Sequence, residues 1–212
     1  EKGVSTLGAR MIWYDDTVQR LNTESRGQYL GEFSADDKIL TIMQSGNYKL
    51  HNFDLENHFE EDMILIEKLK ADKPITAIYL DGEKKEYFVK RFLVEPSDKK
   101  VLFISEFEGS QLECVSTDLL PVCEIKFYKN KGKDIANESI NLSEFIAVKG
   151  LKAKGNRLSQ YKIKEINLAD PIPIPEEPKE EEKAAFDLER MERLKAIKDN
   201  LDEMDSQIKL EF

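Results

Sequence analysis

What this chain lacks narrows it first. No apolar run in its 212 residues approaches the roughly 20 that a membrane helix needs. The opening stretch, EKGVSTLGAR, holds neither a start Met nor an apolar signal core, the pattern expected of a segment from a longer protein. There are only two cysteines, Cys114 and Cys123. Two thiols do not make a disulfide framework, so a reducing cytoplasm is the expected setting. They read as small residues in or near strands. Sequence motifs of catalysis are also missing: there is no Walker loop, GxGxxG, HExxH, GxSxG or CxxC pair. The only histidines, His51 and His58, do not have zinc-site spacing. Asp15-Asp16 and Glu60-Glu61-Asp62 are acidic neighbours without a nucleophilic or cationic companion. Nothing in the pattern argues for catalysis.

What the chain has in quantity is charge, and it is segregated. The formal net charge is −10, from 42 acidic and 32 basic residues. Residues 171–212 hold 13 acidic and 7 basic residues, a net of −6. Residues 126–164 hold ten basic residues against Asp134, Glu138 and Glu144, a net of +7. Such separation bears on partners more than the total does.

Residues 1–170 read as strands. Short β-rich runs recur: MIWY (11–14), KILTIM (38–43), MILIEKL (63–69), ITAIYL (75–80), EYFVKRFLV (86–94), KVLFISEF (100–107), QLECVS (111–116), EIKFY (124–128), EFIAVKG (144–150) and YKIKEINL (161–168). Turn residues separate many of them, as at SG (45–46), DG (81–82) and NKGK (130–133). The spacing predicts an antiparallel all-β fold. A loose internal echo pairs residues 37–42 and Gly46 with residues 100–104 and Gly109, an offset of 62. The composition then changes. PIPIPEEP (171–178) predicts an extended linker over 171–180. In the 181–212 tail, Met191, Leu194, Ile197, Leu201, Met204 and Ile208 share one face of a predicted acidic amphipathic helix.

The run KGLKAKGNRLSQYKIK (149–164) carries six cations and no acid. Lysine and arginine neutralise phosphates and release counterions, and glycine and small polar residues let a backbone approach phosphate oxygens closely. If YKIKEINL is a strand, Lys162 and Lys164 share a face. The same lysines would equally suit a solvated sheet edge. Charge alone does not separate the two.

EFIAVKGLKAKGNRLS also resembles a blade-ending signature, roughly V-K-G-[IL]-K-x-x-G-[DN]-x-[LV], of the C-terminal domain of the type IIA topoisomerase A subunit, the family of bacterial DNA gyrase and topoisomerase IV. GARMIWYDDTVQRLNTESRG, ILTIMQSGNYKL, HFEEDMILIEK, KPITAIYLDGEKKEYFVKRFLVE and QLECVSTD are similar to topoisomerase IV sequences of the Bacteroidetes type, again from the A subunit. The resemblance spans residues 1–170 and implies a β-pinwheel, propeller-like with strand-exchanged blades, here as a partial or open arc. It implies a non-catalytic module that binds and bends double-stranded DNA for the ATP-dependent strand passage, decatenation and relaxation of a whole enzyme. The nearest stretch to the gyrase box, close to Q-R-R-G-G-K-G, is Ser25-Arg26-Gly27-Gln28-Tyr29-Leu30-Gly31, which keeps one Arg-Gly, so the resemblance implies bending rather than full wrapping. None of the seven tyrosines follows an arginine, so the family's cleaving Arg-Tyr pair is absent.

The expected DNA-contacting residues are Lys149, Lys152, Lys154, Arg157, Lys162 and Lys164. Lys126, Lys129, Lys131 and Lys133 come next, with Lys90, Arg91, Arg20 and Arg26 as rim candidates. No cofactor or metal is expected in this segment, with ATP and Mg2+ implied for the parent enzyme. The implied partners are DNA, the rest of the A subunit, and the B subunit that carries the ATPase. No membrane is implied, and the location would be cytoplasmic and nucleoid-associated. The competing reading is a propeller-like protein-interaction scaffold with a regulatory acidic tail.

Overall fold

The computed structural model describes residues 9–173. The described residues fall in the unit Glu1–Ile172, except for Pro173 at its border. The tail helix expected over 181–212 and all but the start of the linker lie outside the described residues. In chain order the strands are β1 (Arg10–Asp15), β2 (Arg20–Asn22), β3 (Gln28–Phe33), β4 (Ile39–Met43) and β5 (Asn47–His51). There follow β6 (Met63–Lys68), β7 (Ile75–Asp81), β8 (Glu86–Phe92), β9 (Val101–Leu102) and β10 (Gln111–Ser116). The last are β11 (Val122–Phe127), β12 (Glu138–Asn141), β13 (Asn156–Arg157) and β14 (Ile163–Ala169), with one short helix, α1 (Leu142–Phe145).

These strands form four antiparallel sheets, ordered β2-β1-β3, β6-β4-β5-β9, β10-β7-β8-β13 and β12-β11-β14. The plan repeats. A central strand is flanked by its hairpin partner and by a third strand, and in every sheet the third strand is bulged against the centre. The extra residues are Leu30, Ile64, Glu113 and Lys164, each placed between two partners of adjacent central residues. A bulge adds bend and twist at that point, so the four sheets curve alike.

The sheets also exchange strands. β9 lies in sequence between two strands of the third sheet but pairs with β5 of the second. β13 lies between two strands of the fourth sheet but pairs with β8 of the third. Each donated pair of residues is followed by an apolar plug. Phe103 donates its N–H to Gly46 O and Leu158 donates to Tyr87 O, and the two side chains are 1% and 3% exposed. In the first sheet the corresponding segment, between β5 and β6, contributes buried Phe59, edge-on to Tyr14 at 5.4 Å. This exchange is the β-pinwheel arrangement.

Three apolar clusters join neighbouring sheets: first to second around Ile12, Phe33 and Ile39, second to third around Tyr48, Tyr79 and Phe92, third to fourth around Val89, Ile125 and Leu142. Among the described residues no cluster joins the fourth sheet back to the first, so they form an open row. Burial follows position in that row. β4 is buried at every residue, as a strand covered on both faces must be. β11 alternates, with Cys123, Ile125 and Phe127 buried and Glu124 and Lys126 exposed, so the fourth sheet turns one face to water.

Besides strands that no run announced, among them β2, β3, β12 and β13, three of the sequence readings do not hold. Within KVLFISEF only Val101–Leu102 pairs as a strand. EFIAVKG is not a strand: Asn141 caps α1 by accepting the Ser143 N–H at 3.0 Å, and an irregular segment follows. The echo at an offset of 62 is not a repeat, because Ile39–Met43 and Val101–Leu102 belong to one sheet.

Candidate nucleic-acid interface

The run at 149–164 is held in place before it can present anything. Lys149 donates its N–H to Arg91 O at 2.8 Å, Leu151 O accepts from Lys90 Nζ at 2.7 Å, and Lys154 O accepts from the Tyr79 hydroxyl at 2.8 Å. Gly155 has φ +96°, and a Cβ there would sit 2.1 Å from Val89 O. Only glycine fits that close approach. The pattern V-K-G-L-K-x-K-G thus specifies how the donated strand β13 reaches the third sheet.

Lys154 is part of this fixture. Its Nζ lies 2.7 Å from Asp81 Oδ2, on a carboxylate with no exposed side-chain surface, and 4.8 Å from the Phe88 ring centroid. Asp81 Oδ1 accepts the N–H groups of Glu83 and Lys84 at 3.1 and 2.9 Å, which shapes the β7–β8 turn. Burial would raise the Asp81 carboxyl, yet Lys154 and the turn N–H groups outweigh it and hold it below the usual carboxylate range.

Lys90 and Arg91, expected at the rim, are inside, 5% and 7% exposed. Lys90 donates to Phe103 O and Leu151 O, tying both exchanged segments together. Burial pushes its ammonium down to about 8. Arg91 spends its guanidinium on Thr76 Oγ1, Ser143 O and Leu119 O, at 3.1, 3.3 and 3.1 Å. Their side chains point inward because β8 is an interior strand covered on both faces. Neither can meet a duplex without unfolding.

The remaining candidates are at the surface. Arg157 pairs with Glu86 at 2.9 Å, Lys126 with Glu165 at 3.0 Å, Lys129 with Asp134 at 3.1 Å and Arg26 with Glu24 at 3.0 Å. Exposed pairs of this kind contribute little and exchange readily with other anions. Arg20 contacts the His58 ring at 2.9 Å, in the first sheet and apart from the main run. Among the described residues, Lys131, Lys133, Lys149, Lys152, Lys162 and Lys164 form no ion pair. Lys149 is within 3.2 Å of Asn156 Oδ1, and Lys162 sits 5.1 Å from the Tyr128 ring centroid.

The structure gathers part of this set around one cleft of about 590 Å³ between the third and fourth sheets. Arg157 lines it from the exchanged strand β13, Lys162 and Lys164 line it where the chain returns into β14, and Lys84 and Lys85 line it from the β7–β8 turn. Glu86 is its one acidic wall residue, beside Tyr87, Tyr128, Tyr161, Ser159 and Gln160. Lys164 is the bulge residue of its sheet, which is why both it and the following Glu165 are exposed rather than alternating. Lys126, Lys129, Lys131, Lys133, Lys149 and Lys152 lie outside this cleft.

A family model for the topoisomerase C-terminal domain of Bacteroidota matches residues 20–170. The chain belongs to that family. A crystal structure of the C-terminal domain of DNA topoisomerase IV has 14% sequence identity and a TM-score of 0.48 to this chain, over 76% of this chain and 61% of the other. A search of curated proteins finds no match. In this topoisomerase C-terminal domain the run 149–157 thus lies at a strand exchange, and Lys162 and Lys164, which form no ion pair among the described residues, follow it at the cleft.

Sequence reasoning missed Lys84 and Lys85. They sit in the DGEKKE turn, well before the basic run in sequence, and only the β8–β13 pairing brings them to it. The turn itself was legible as DG, and a lysine pair on a hairpin tip was the available signal. Among the described residues no cluster of His, Cys, Asp and Glu could hold a metal ion. No described helix is long and apolar enough to cross a membrane.

Proposed function

We propose that this chain is the DNA-bending module of the A subunit of a topoisomerase IV-like enzyme. It does no chemistry itself and presents a second duplex to a catalytic core that supplies strand passage, decatenation and relaxation. The observation that carries the reading is the group of cations around the cleft between the third and fourth sheets, of which Lys84, Lys85, Lys162 and Lys164 form no ion pair among the described residues, on a chain whose net charge is −10. An acidic protein with one local basic surface attracts a polyanion there and repels it elsewhere. The lysines act as phosphate contacts with little base reading. The curvature of the bulged sheets would then set the path of the duplex. On this reading the partners are duplex DNA, the remainder of the DNA-cleaving polypeptide and a separate ATPase polypeptide. ATP and Mg2+ would act elsewhere in the assembled enzyme, in the cytoplasm at the nucleoid.

Titrating a labelled duplex against the chain at several salt concentrations tests this. Affinity should fall steeply with salt, and the double change Lys162→Glu, Lys164→Glu should flatten the log–log slope by about 0.9 for each phosphate no longer neutralised. Binding that ignores salt, or that survives charge reversal unchanged, would favour the interaction-scaffold reading instead.

A further inference from the structure

The cleft between the third and fourth sheets holds more than charge, and duplex binding does not use the rest. Its volume, about 590 Å³, is that of a small-ligand site, for which about 300–1,000 Å³ is usual. A duplex can lie across such a mouth but cannot enter it. Inside are three tyrosines, and they are not equivalent. Tyr87 and Tyr161 pack against the apolar cluster that joins the two sheets, and Tyr161 meets Phe127 edge-on at 5.9 Å. Their presence is explained by the core. Tyr128 belongs to no apolar cluster and is 48% exposed, just past a strand whose buried positions are Cys123, Ile125 and Phe127. Packing gives no reason for an aromatic ring there. Its visible neighbour is Lys162, whose ammonium sits 5.1 Å from the ring centroid. A half-exposed ring flanked by lysines is the pairing that single-stranded nucleic acid uses. The ring stacks on a base and the cations track the backbone.

Resting on the duplex reading above, we propose that this cleft takes unpaired nucleotides. Bases exposed where DNA is gapped or locally melted stack on Tyr128, and Lys84, Lys162 and Lys164 hold the adjoining phosphates. The module then favours DNA that is already opened or sharply deformed over straight duplex.

The test uses the 212-residue chain and fluorescence anisotropy at two salt concentrations. Three labelled DNAs of one sequence are compared: an intact duplex, the same duplex with a three-nucleotide gap, and the gapped duplex with the three facing nucleotides made abasic. The gapped DNA should bind more tightly than the intact one by about fivefold or more, the effect of one stacked base. The abasic version is as flexible but has nothing to stack, so it should lose the gain. Tyr128→Ala should abolish the preference for gapped over intact DNA, and Tyr128→Phe should keep it. Lys164→Gln should weaken all three DNAs. Equal binding of the gapped and abasic DNAs, or a Tyr128→Ala effect shared by all three, overturns the proposal. Intact-duplex binding without a gap preference sinks this inference alone. Binding of gapped DNA only sinks the duplex reading alone, and no binding to any DNA sinks both.

Discussion

Asp81 and Lys154 decide whether the family signature is a DNA contact or a fold device, and replacing Asp81 with Asn separates the two. The Asp81 carboxylate is fully buried, accepts two turn N–H groups, and faces the Lys154 ammonium at 2.7 Å. Asn keeps the shape and an acceptor for the turn, so the change removes mainly the ion pair. Breaking a dry pair on one side costs about 3–5 kcal/mol. Lys154 is 38% exposed and can rehydrate, which cuts the expected loss to about 1–2 kcal/mol. For a domain of this size that is a drop in Tm of about 2–8 °C. The folded carboxyl is held below its usual value. Its contribution is therefore present above the ordinary carboxylate pKa, about 3.9, and is lost as pH falls through the lower folded value. Asp81→Asn should flatten that acid limb. Urea unfolding at pH 7 of Asp81→Asn, Lys154→Met and the double variant should give a coupling of about 1 kcal/mol. At a temperature well below unfolding, Lys154→Met should leave duplex affinity within about twofold and the salt slope unchanged. Additive single-variant effects, or a Lys154→Met loss of binding as large as that of a cleft lysine, would refute the structural assignment.

Two further outcomes follow from the interior. Lys90 is pushed down to about 8 by burial, so the unfolded chain holds the extra proton between that value and the ordinary 10.5. Stability should therefore rise with pH through this window, by about 2 kcal/mol from pH 8 to pH 10 relative to a Lys90→Met variant; parallel urea midpoints of the two proteins would contradict it. Phe103→Ala should cost about 3–5 kcal/mol because Phe103 plugs the second-to-third-sheet core from a donated strand. Leu102→Ala, 38% exposed on the same strand, should cost under about 1 kcal/mol by thermal denaturation, and equal losses would mean that the exchange is not anchored by its plug.

How much of this was legible depends on what each element is made of. β4 and β7 were visible as ILTIM and ITAIYL because both their faces are buried and the apolar run is continuous. β14 was visible through Ile163 and Ile166, though its bulge makes Lys164 and Glu165 consecutive exposed residues and breaks the period of two. β12 (ESIN) was missed because its residues are mostly polar and none is buried, and β5 (NYKLH) was legible only as a strand following the Gly46 turn, because Tyr48 is its one buried residue among half-buried ones. They exist as hairpin partners of strongly apolar centres, a cause no local window contains. β9 and β13 have two residues each, too few for any periodicity to register. Their signal lies in the plugs, Phe103 and Leu158, and in Gly155, whose need becomes evident only once Val89 O stands against it.

The same distinction governs the candidate site. Charge counting treated the cations of 149–164 as one surface, since each lysine contributes equally to a sum. The fold divides them by what the backbone beneath them must do. Where the chain crosses into the neighbouring sheet, Lys154 is fixed on Asp81 and Gly155 lies against Val89. Where it returns to its own sheet, the bulge turns Lys164 outward beside Lys162. Lys90 and Arg91 mark the limit of the counting argument. Both are charged and adjacent in sequence, yet both face inward. The carbonyls of Phe103, Leu151, Ser143 and Leu119 and the hydroxyl of Thr76 take their donors from these two side chains. A cation in this fold is available to a polyanion only where the strand exchange does not already use it.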